Sequence, residues 1–299
     1  MSQPVVQALP SRQSLELNAA LSRLAREPRN VDALVDAGNA ASALGDFEAA
    51  VGFFRRGQQI SPQNPRLLAG LAGALAHHGD PVSAIRLFSQ AESAGASAAA
   101  IAADRGLAYD LAGDAAKAQR YYQMALGQGS YDNDEVRRRL GISYAISGDA
   151  SNSEKTLTPL LHKQDKAAWR ARAFALAIQG ESKEAIKITR TLLPARLAES
   201  ISPYMQYMPR LTSAQQAAAA NLGVFPRASD IGRDGTAIAS FGSTVADSAR
   251  VASVDRALVP TGQPLGAQSG AKSGAAASSA RSQPKPTRAD RLAAQAEAR

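Results

Sequence analysis

The sequence predicts an all-α fold: an array of about five helix–turn–helix units with capping helices and a disordered C-terminal tail. Three observations carry this. Of 299 residues, 64 are alanine, only 5% are aromatic and none is cysteine. Alanine is the best helix former and lets helices approach closely, whereas strands draw on the branched and aromatic side chains that are scarce here. Next, a small motif recurs at Gly45-Asp46, Gly79-Asp80, Gly113-Asp114, Gly148-Asp149 and Gly180-Glu181, with glycine spacings of 34, 34, 35 and 32 residues. Glycine ends a helix in the left-handed conformation, and the acidic residue after it caps the helix that follows. Finally, small and apolar residues at helical spacing surround each of these turns.

In chain order, residues 1–10 read as a flexible N-terminus and 11–30 as a capping helix, with Leu15, Leu21 and Leu24 on its apolar side. An array of stacked units has to hide the apolar face of its terminal member, which gives that helix its role. The units span 31–64, 65–98, 99–132, 134–165 and 166–199. Phe54, Phe88 and Tyr122 recur at one position of the second helix, and Trp169 occupies a large-apolar position of a first helix; all four are expected to pack in the core. Residues 200–226 read as a packed connector, with Tyr204, Tyr207 and Met208 between two prolines, and a C-terminal capping helix. Thr212 and Gln215 open that helix as a capping box and Gly223 closes it.

These positions resemble the tetratricopeptide repeat family. The first unit has Leu34, Ala37, Gly38, Leu44, Gly45, Ala50, Phe54, Gly57 and Pro62 where the family has its signature, and the second has Leu68, Leu71, Ala72, Gly79, Ala84 and Phe88. The third supplies Gly106, Tyr109, Ala118 and Tyr122, the fourth Leu140, Gly141, Tyr144 and Leu157, and the fifth Trp169, Ala173, Leu176 and Ala185. The last two units depart from the pattern, with Ser153 in place of the usual small alanine. The resemblance implies a right-handed α-solenoid with a concave groove lined by the first helices. Carried onto this sequence, it implies Asn39, His77, Leu107, Asp110, Arg138, Ile142, Arg170 and Phe174 as groove residues. Apolar content rises toward the later units, beside Arg138 and Arg170, which suits an extended or helical peptide with apolar anchors and an acidic group.

From 227 to 287 the composition shifts to Ala, Gly, Ser and Pro, with nine residues from Val, Ile, Leu and Phe among 61. So few apolar side chains do not offset the entropy of ordering the backbone, and a disordered linker is expected. Residues 288–299 read as a short helix-prone end. The layout resembles, more weakly, bacterial envelope proteins in which such repeats precede a linker and a sporulation-related, peptidoglycan-binding domain; that domain is absent from this sequence.

The formal net charge of +8 is mostly a property of the flanks: residues 31–199 carry 19 basic and 18 acidic groups, while residues 200–299 carry 11 and six. A nucleic-acid-binding body shows a basic face in its folded part, so nucleic acid is not an expected partner. No run approaches the roughly 20 apolar residues of a membrane span. Met1 to Pro10 has neither the basic start nor the apolar core of a signal peptide. The chain as it stands is expected to be soluble and unexported, or periplasmic if its start follows a processed leader. Catalytic arrangements are not evident: no phosphate-cradling glycine loop, no H-E-x-x-H and no G-x-S-x-G. Ser269 and Lys272 fit S-x-x-K only within the low-complexity tail, and adjacent His77 and His78 point in different directions on a helix. No catalytic residue, cofactor or metal is expected. The resulting expectation is a noncatalytic scaffold for protein–protein interactions, with a protein or peptide ligand in the groove and an envelope role if peptidoglycan is bound through a further domain. A pilus or secretion assembly factor, or the regulatory half of an enzyme, stays open.

Overall fold

The computed structural model describes residues 11–127 and 134–243. These belong to one compact unit; a second, from Ala246 onward, falls outside them. The expected flexible start, most of the expected linker and the helix-prone end also fall outside. Among the described residues there is no strand. The helices are α1 Arg12–Arg26, α2 Val31–Ala43, α3 Phe47–Ile60, α4 Pro65–His77, α5 Pro81–Ser93, α6 Ala102–Leu111, α7 Ala115–Leu126, α8 Asp134–Ile146, α9 Ala150–His162, α10 Lys166–Ile178, α11 Ser182–Leu192, α12 Ala195–Tyr207 and α13 Ser213–Leu222. Helices α2 to α11 pack as five antiparallel pairs, and consecutive pairs stack to form an α-solenoid. None of the helices is long and apolar enough to cross a membrane.

The Gly-Asp motif does what its chemistry requires. Gly45, Gly79, Gly113, Gly148 and Gly180 all have φ between 80° and 92°, the left-handed region that a Cβ disfavours. The Asp46, Asp80, Asp114 and Asp149 side chains then accept from the amides of Ala49, Ser83, Lys117 and Asn152, three residues on. Glu181 makes no such bond, since its longer side chain overshoots the amide. First helices are capped by Asn30, Asn64 and Asp165.

In the first, third and fourth pairs, a large side chain on the second helix lies against a glycine on the first. Phe54 covers Gly38, Tyr122 covers Gly106 and Leu157 covers Gly141; a Cβ on those glycines would fall 2.6 to 2.7 Å from the covering side chain. Phe54, Phe88 and Tyr122 are at most 1% exposed, so their core assignment holds. Trp169 is only partly buried against the core, with the Arg172 guanidinium 5.7 Å from its ring. Ser153, the departure in the fourth unit, is buried and satisfied because its hydroxyl donates to the Gly141 carbonyl at 2.7 Å. Gly106→Ala, whose Cβ would press into the buried Tyr122 ring, is expected to lower stability by about 1–3 kcal/mol, read from chemical denaturation followed by circular dichroism.

Three segments differ from the sequence reading. The expected connector around residues 202–210 is the end of α12, which runs through Pro203, followed by a 3₁₀ turn, Met208–Arg210. Pro203 is exposed, as is Glu199 one turn before it, so the carbonyl that the proline leaves unpaired can meet water. Helix α13 does not cover the end of the array: it turns back and lies across the first helices α6, α8 and α10. The disordered segment expected from residue 227 does not begin there. Residues 227–243 include a 3₁₀ turn, Ala228–Asp230, and helical residues 236–243, held by side-chain–backbone bonds that composition does not reveal. Gln215 donates from Nε2 to the carbonyls of Asp230 and Arg233 at 2.6 and 2.8 Å, and its Oε1 accepts from the amide of Gly232 at 3.0 Å. The Thr212 hydroxyl also bonds to Asp234.

Candidate functional site: the first-helix face

Stacking aligns α2, α4, α6, α8 and α10 into one face, with polar bridges between neighbouring units. Arg66 reaches Asp32 at 2.8 Å, His77 reaches Asp104 at 3.3 Å, Ser143 donates to Asp110 at 2.7 Å and Arg138 pairs with Asp165 at 2.6 Å. Arg139 bridges Asp104 and Glu135. Burial works against the charge on Asp104, but the bond from His77 and the Arg139 guanidinium outweigh it and hold the carboxyl below its ordinary value. Asp165 is held low likewise: partial burial is outweighed by the Ala167 amide and Arg138. Asp110 behaves in the opposite way. It is 1% exposed, and burial lifts its pKa to about 7 despite the bond from Ser143.

The eight expected groove residues divide among three settings. Asn39 is exposed, whereas His77 is partly buried, its ring stacked on Phe47 at 4.4 Å. Leu107, Asp110 and Ile142 are buried. Leu107 lies with Leu111 beneath Ala217 of α13, Asp110 is sealed against α8, and Ile142 belongs to the core of the later units. Arg138 and Arg170 line a polar cleft of about 270 Å³ with Arg139, Ala220 and Asn221. Phe174 is buried near Phe225 at 6.4 Å, and Phe225 in turn meets Tyr204 at 4.4 Å. The structure therefore brings most of the candidates to one face but leaves few of them accessible.

A further feature, which shares Arg170 and Phe174 with that set, adjoins the face. Leu193 leaves α11 in an extended conformation, φ −116° and ψ 151°, and Pro194 opens α12. Helix α12 consequently packs on α11 and only lightly on α10. The gap is a cavity of about 400 Å³ walled by Phe174, Leu192, Leu193, Ile201 and Met205, with Lys166 and Arg170 at its rim. The sequence signal for it was Leu193-Pro194 itself, since a residue before proline is driven out of the helical region.

A family model described as tetratricopeptide repeat matches residues 41–103, which spans parts of the first three of the five stacked pairs. Residues 41–103 thus carry the tetratricopeptide repeat pattern. Among solved structures, this repeat protein is similar to a chain of the APC/C hetero-tetramer Cut9–Hcn1, with a TM-score of 0.50 and 16% identity over 70% of this chain and 43% of that one. It is also similar to a tetratricopeptide repeat protein from Parabacteroides merdae ATCC 43184, at TM-score 0.48 and 15% identity, covering 75% and 88% of the two chains. A further similar structure is YrrB, described as a TPR protein with an unusual peptide-binding site, at TM-score 0.43 and 15% identity over 63% and 99%. At such identities the Cut9–Hcn1 match shows a shared fold. No curated protein matches the sequence. The repeats, through their face of aligned first helices, mark the protein as an interaction scaffold for protein or peptide partners.

Proposed function

We propose that this repeat protein is a noncatalytic scaffold that binds a short helix of a partner protein on its first-helix face. The observation that carries this reading is α13. A helix of ten residues already lies on the face across three units, with Ala214, Ala217 and Ala219 buried and Gln216 donating to the Met208 carbonyl at 2.9 Å. The face thus accepts a helix with a small-residue side, the helix-in-groove mode of recognition.

The test frees the face and offers the helix back. Ala217→Glu places a charge against the apolar side chains of Leu107 and Leu111. Leaving a buried charge unpaired costs several kcal/mol, more than a few alanine contacts return. In the variant, α13 is expected to leave while the solenoid stays folded. A labelled peptide of residues 211–224 should then bind the variant with a Kd in the micromolar range and the parent chain at least about tenfold more weakly, read by fluorescence anisotropy. Equal binding to both would remove the observation on which the reading stands.

The finer reading is an envelope protein that reaches peptidoglycan through a downstream domain; what supports it is the layout of the sequence from residue 227 onward. Co-sedimentation of the full chain and its downstream reading frame with purified sacculi is the expected outcome, and sedimentation no greater than that of an unrelated protein sinks it.

A further inference from the structure

The cavity between α10, α11 and α12 combines two properties. Its walls, from Phe174, Leu192, Leu193, Ile201 and Met205, are apolar, and none of the helices of the described chain fills it. Its rim is cationic. Along α8 and α10, Arg138, Arg139 and Arg172 each hold a carboxylate, from Asp165, Glu135 and Glu154. Lys166 and Arg170 have no ion-pair partner among the described residues. The acid nearest the rim, Asp165, is already committed to Arg138 and to the Ala167 amide. Arg170 also forms part of the wall of the adjoining polar cleft, where Arg138 and Arg139 lie beside Ala220 and Asn221 at the end of α13. The apolar chamber and the polar cleft, in which Arg138 and Arg139 are already paired with Asp165 and Glu135, share Ala167 and Arg170 and so adjoin as one track.

We propose that this track binds an acidic peptide segment bearing one bulky apolar side chain. The proposal rests on the scaffold reading and names the chemistry of a partner segment. A volume of about 400 Å³ accommodates an aromatic side chain, which brings the largest apolar surface of any residue. Carboxylates on the flanking residues meet Lys166 and Arg170, whose charge near an apolar wall is less screened than in open water. A basic segment is rejected by the same two groups, so charge sets the choice of partner as well as its attraction. A peptide is favoured over a free small carboxylate because the chamber opens into the cleft instead of closing around one ligand.

The experiment uses the full chain and the probe acetyl-Asp-Glu-Trp-Glu-Asp-amide, with acids on both sides so that chain direction does not matter, followed by calorimetry. The expected Kd lies below about 1 mM. The same peptide with alanine for tryptophan, or with lysine for all four acids, is expected to bind at least about tenfold more weakly. Arg170→Glu, an exposed position, abolishes binding with an unchanged thermal melt, and Leu193→Trp, which fills the chamber, does so as well. If the tryptophan variant fails to fold, Arg170→Glu alone decides. No heat at about 5 mM probe, equal binding of the lysine peptide, or undiminished binding to Arg170→Glu overturns the proposal. Tighter binding of decanoate than of the peptide overturns it in favour of a free amphipathic acid. Binding of residues 211–224 to the Ala217→Glu chain does not involve this cavity, so the scaffold reading and this proposal fail separately.

Discussion

Asp110→Asn is expected to stabilise the protein at pH 8 by on the order of 2–4 kcal/mol and to leave it nearly unchanged at pH 3. The sign follows from the direction of the pKa shift. Burial raises the Asp110 carboxyl from 3.8 in the unfolded chain to about 7 in the fold, so the native state holds a proton that the unfolded state releases first. Below pH 3.8 both states are protonated and nothing separates aspartic acid from its amide. Between pH 3.8 and 7 the unfolded chain ionises alone and stability declines. Above 7 the native carboxylate ionises too, inside a site that faces Ser143, Tyr122, Arg139 and Asp114, and the loss stays constant. Asparagine keeps an acceptor for the Ser143 hydroxyl and does not titrate. Denaturant titrations of the parent and variant at pH 3, 5 and 8 give the difference directly; a difference that does not grow with pH refutes the assignment.

Asp165→Ala is expected to be the most damaging exchange on the first-helix face, costing roughly 2–4 kcal/mol at pH 7 as two losses combine. The side chain caps α10 through the Ala167 amide at 2.8 Å and pairs with Arg138 at 2.6 Å, where both partners are about three-quarters buried. Removing it uncaps a helix and strands a guanidinium. The pH dependence is opposite to that of Asp110. Here the folded pKa lies below 3.8, so the contribution of Asp165 is present above the unfolded value and disappears as pH falls through the folded one. The gap between parent and Asp165→Ala should therefore close in acid, while the gap between parent and Asp110→Asn opens toward alkali. Parallel titrations of the two variants check both signs at once.

How much of this was legible in the sequence depended on whether an interaction is local. The Gly-Asp turns were, because a left-handed glycine and a capping aspartate act within a few residues of each other. The Phe54 and Tyr122 positions were too, since their burial repeats with the unit. The path of α13 was not: an alanine run is small on every side, so no stripe announces which neighbour it will meet. Nor was the order of residues 227–243, to which the Gln215 amide contributes by satisfying three backbone groups at once and Thr212 by bonding to Asp234. Asp110 was legible as a position but not as an environment. Its place in the repeat put it on the groove side, while Ser143, 33 residues later, draws it into the contact between α6 and α8. The cation pair at the rim was half legible: Arg170 stood out, but Lys166 gained meaning only once α12 was seen to stand away from α10.

Helix α13 has a further consequence, for the way the molecule unfolds. A stack in which each unit touches only its neighbours opens from its ends, one unit at a time. Because α13 spans α6, α8 and α10, it ties the third, fourth and fifth units by contacts that skip over nearest neighbours. Those three are expected to melt as one cooperative block, while the first two, outside its reach, remain free to fray. Hydrogen exchange should show one shared opening free energy for α6 to α11 and a graded one from α1 to α5.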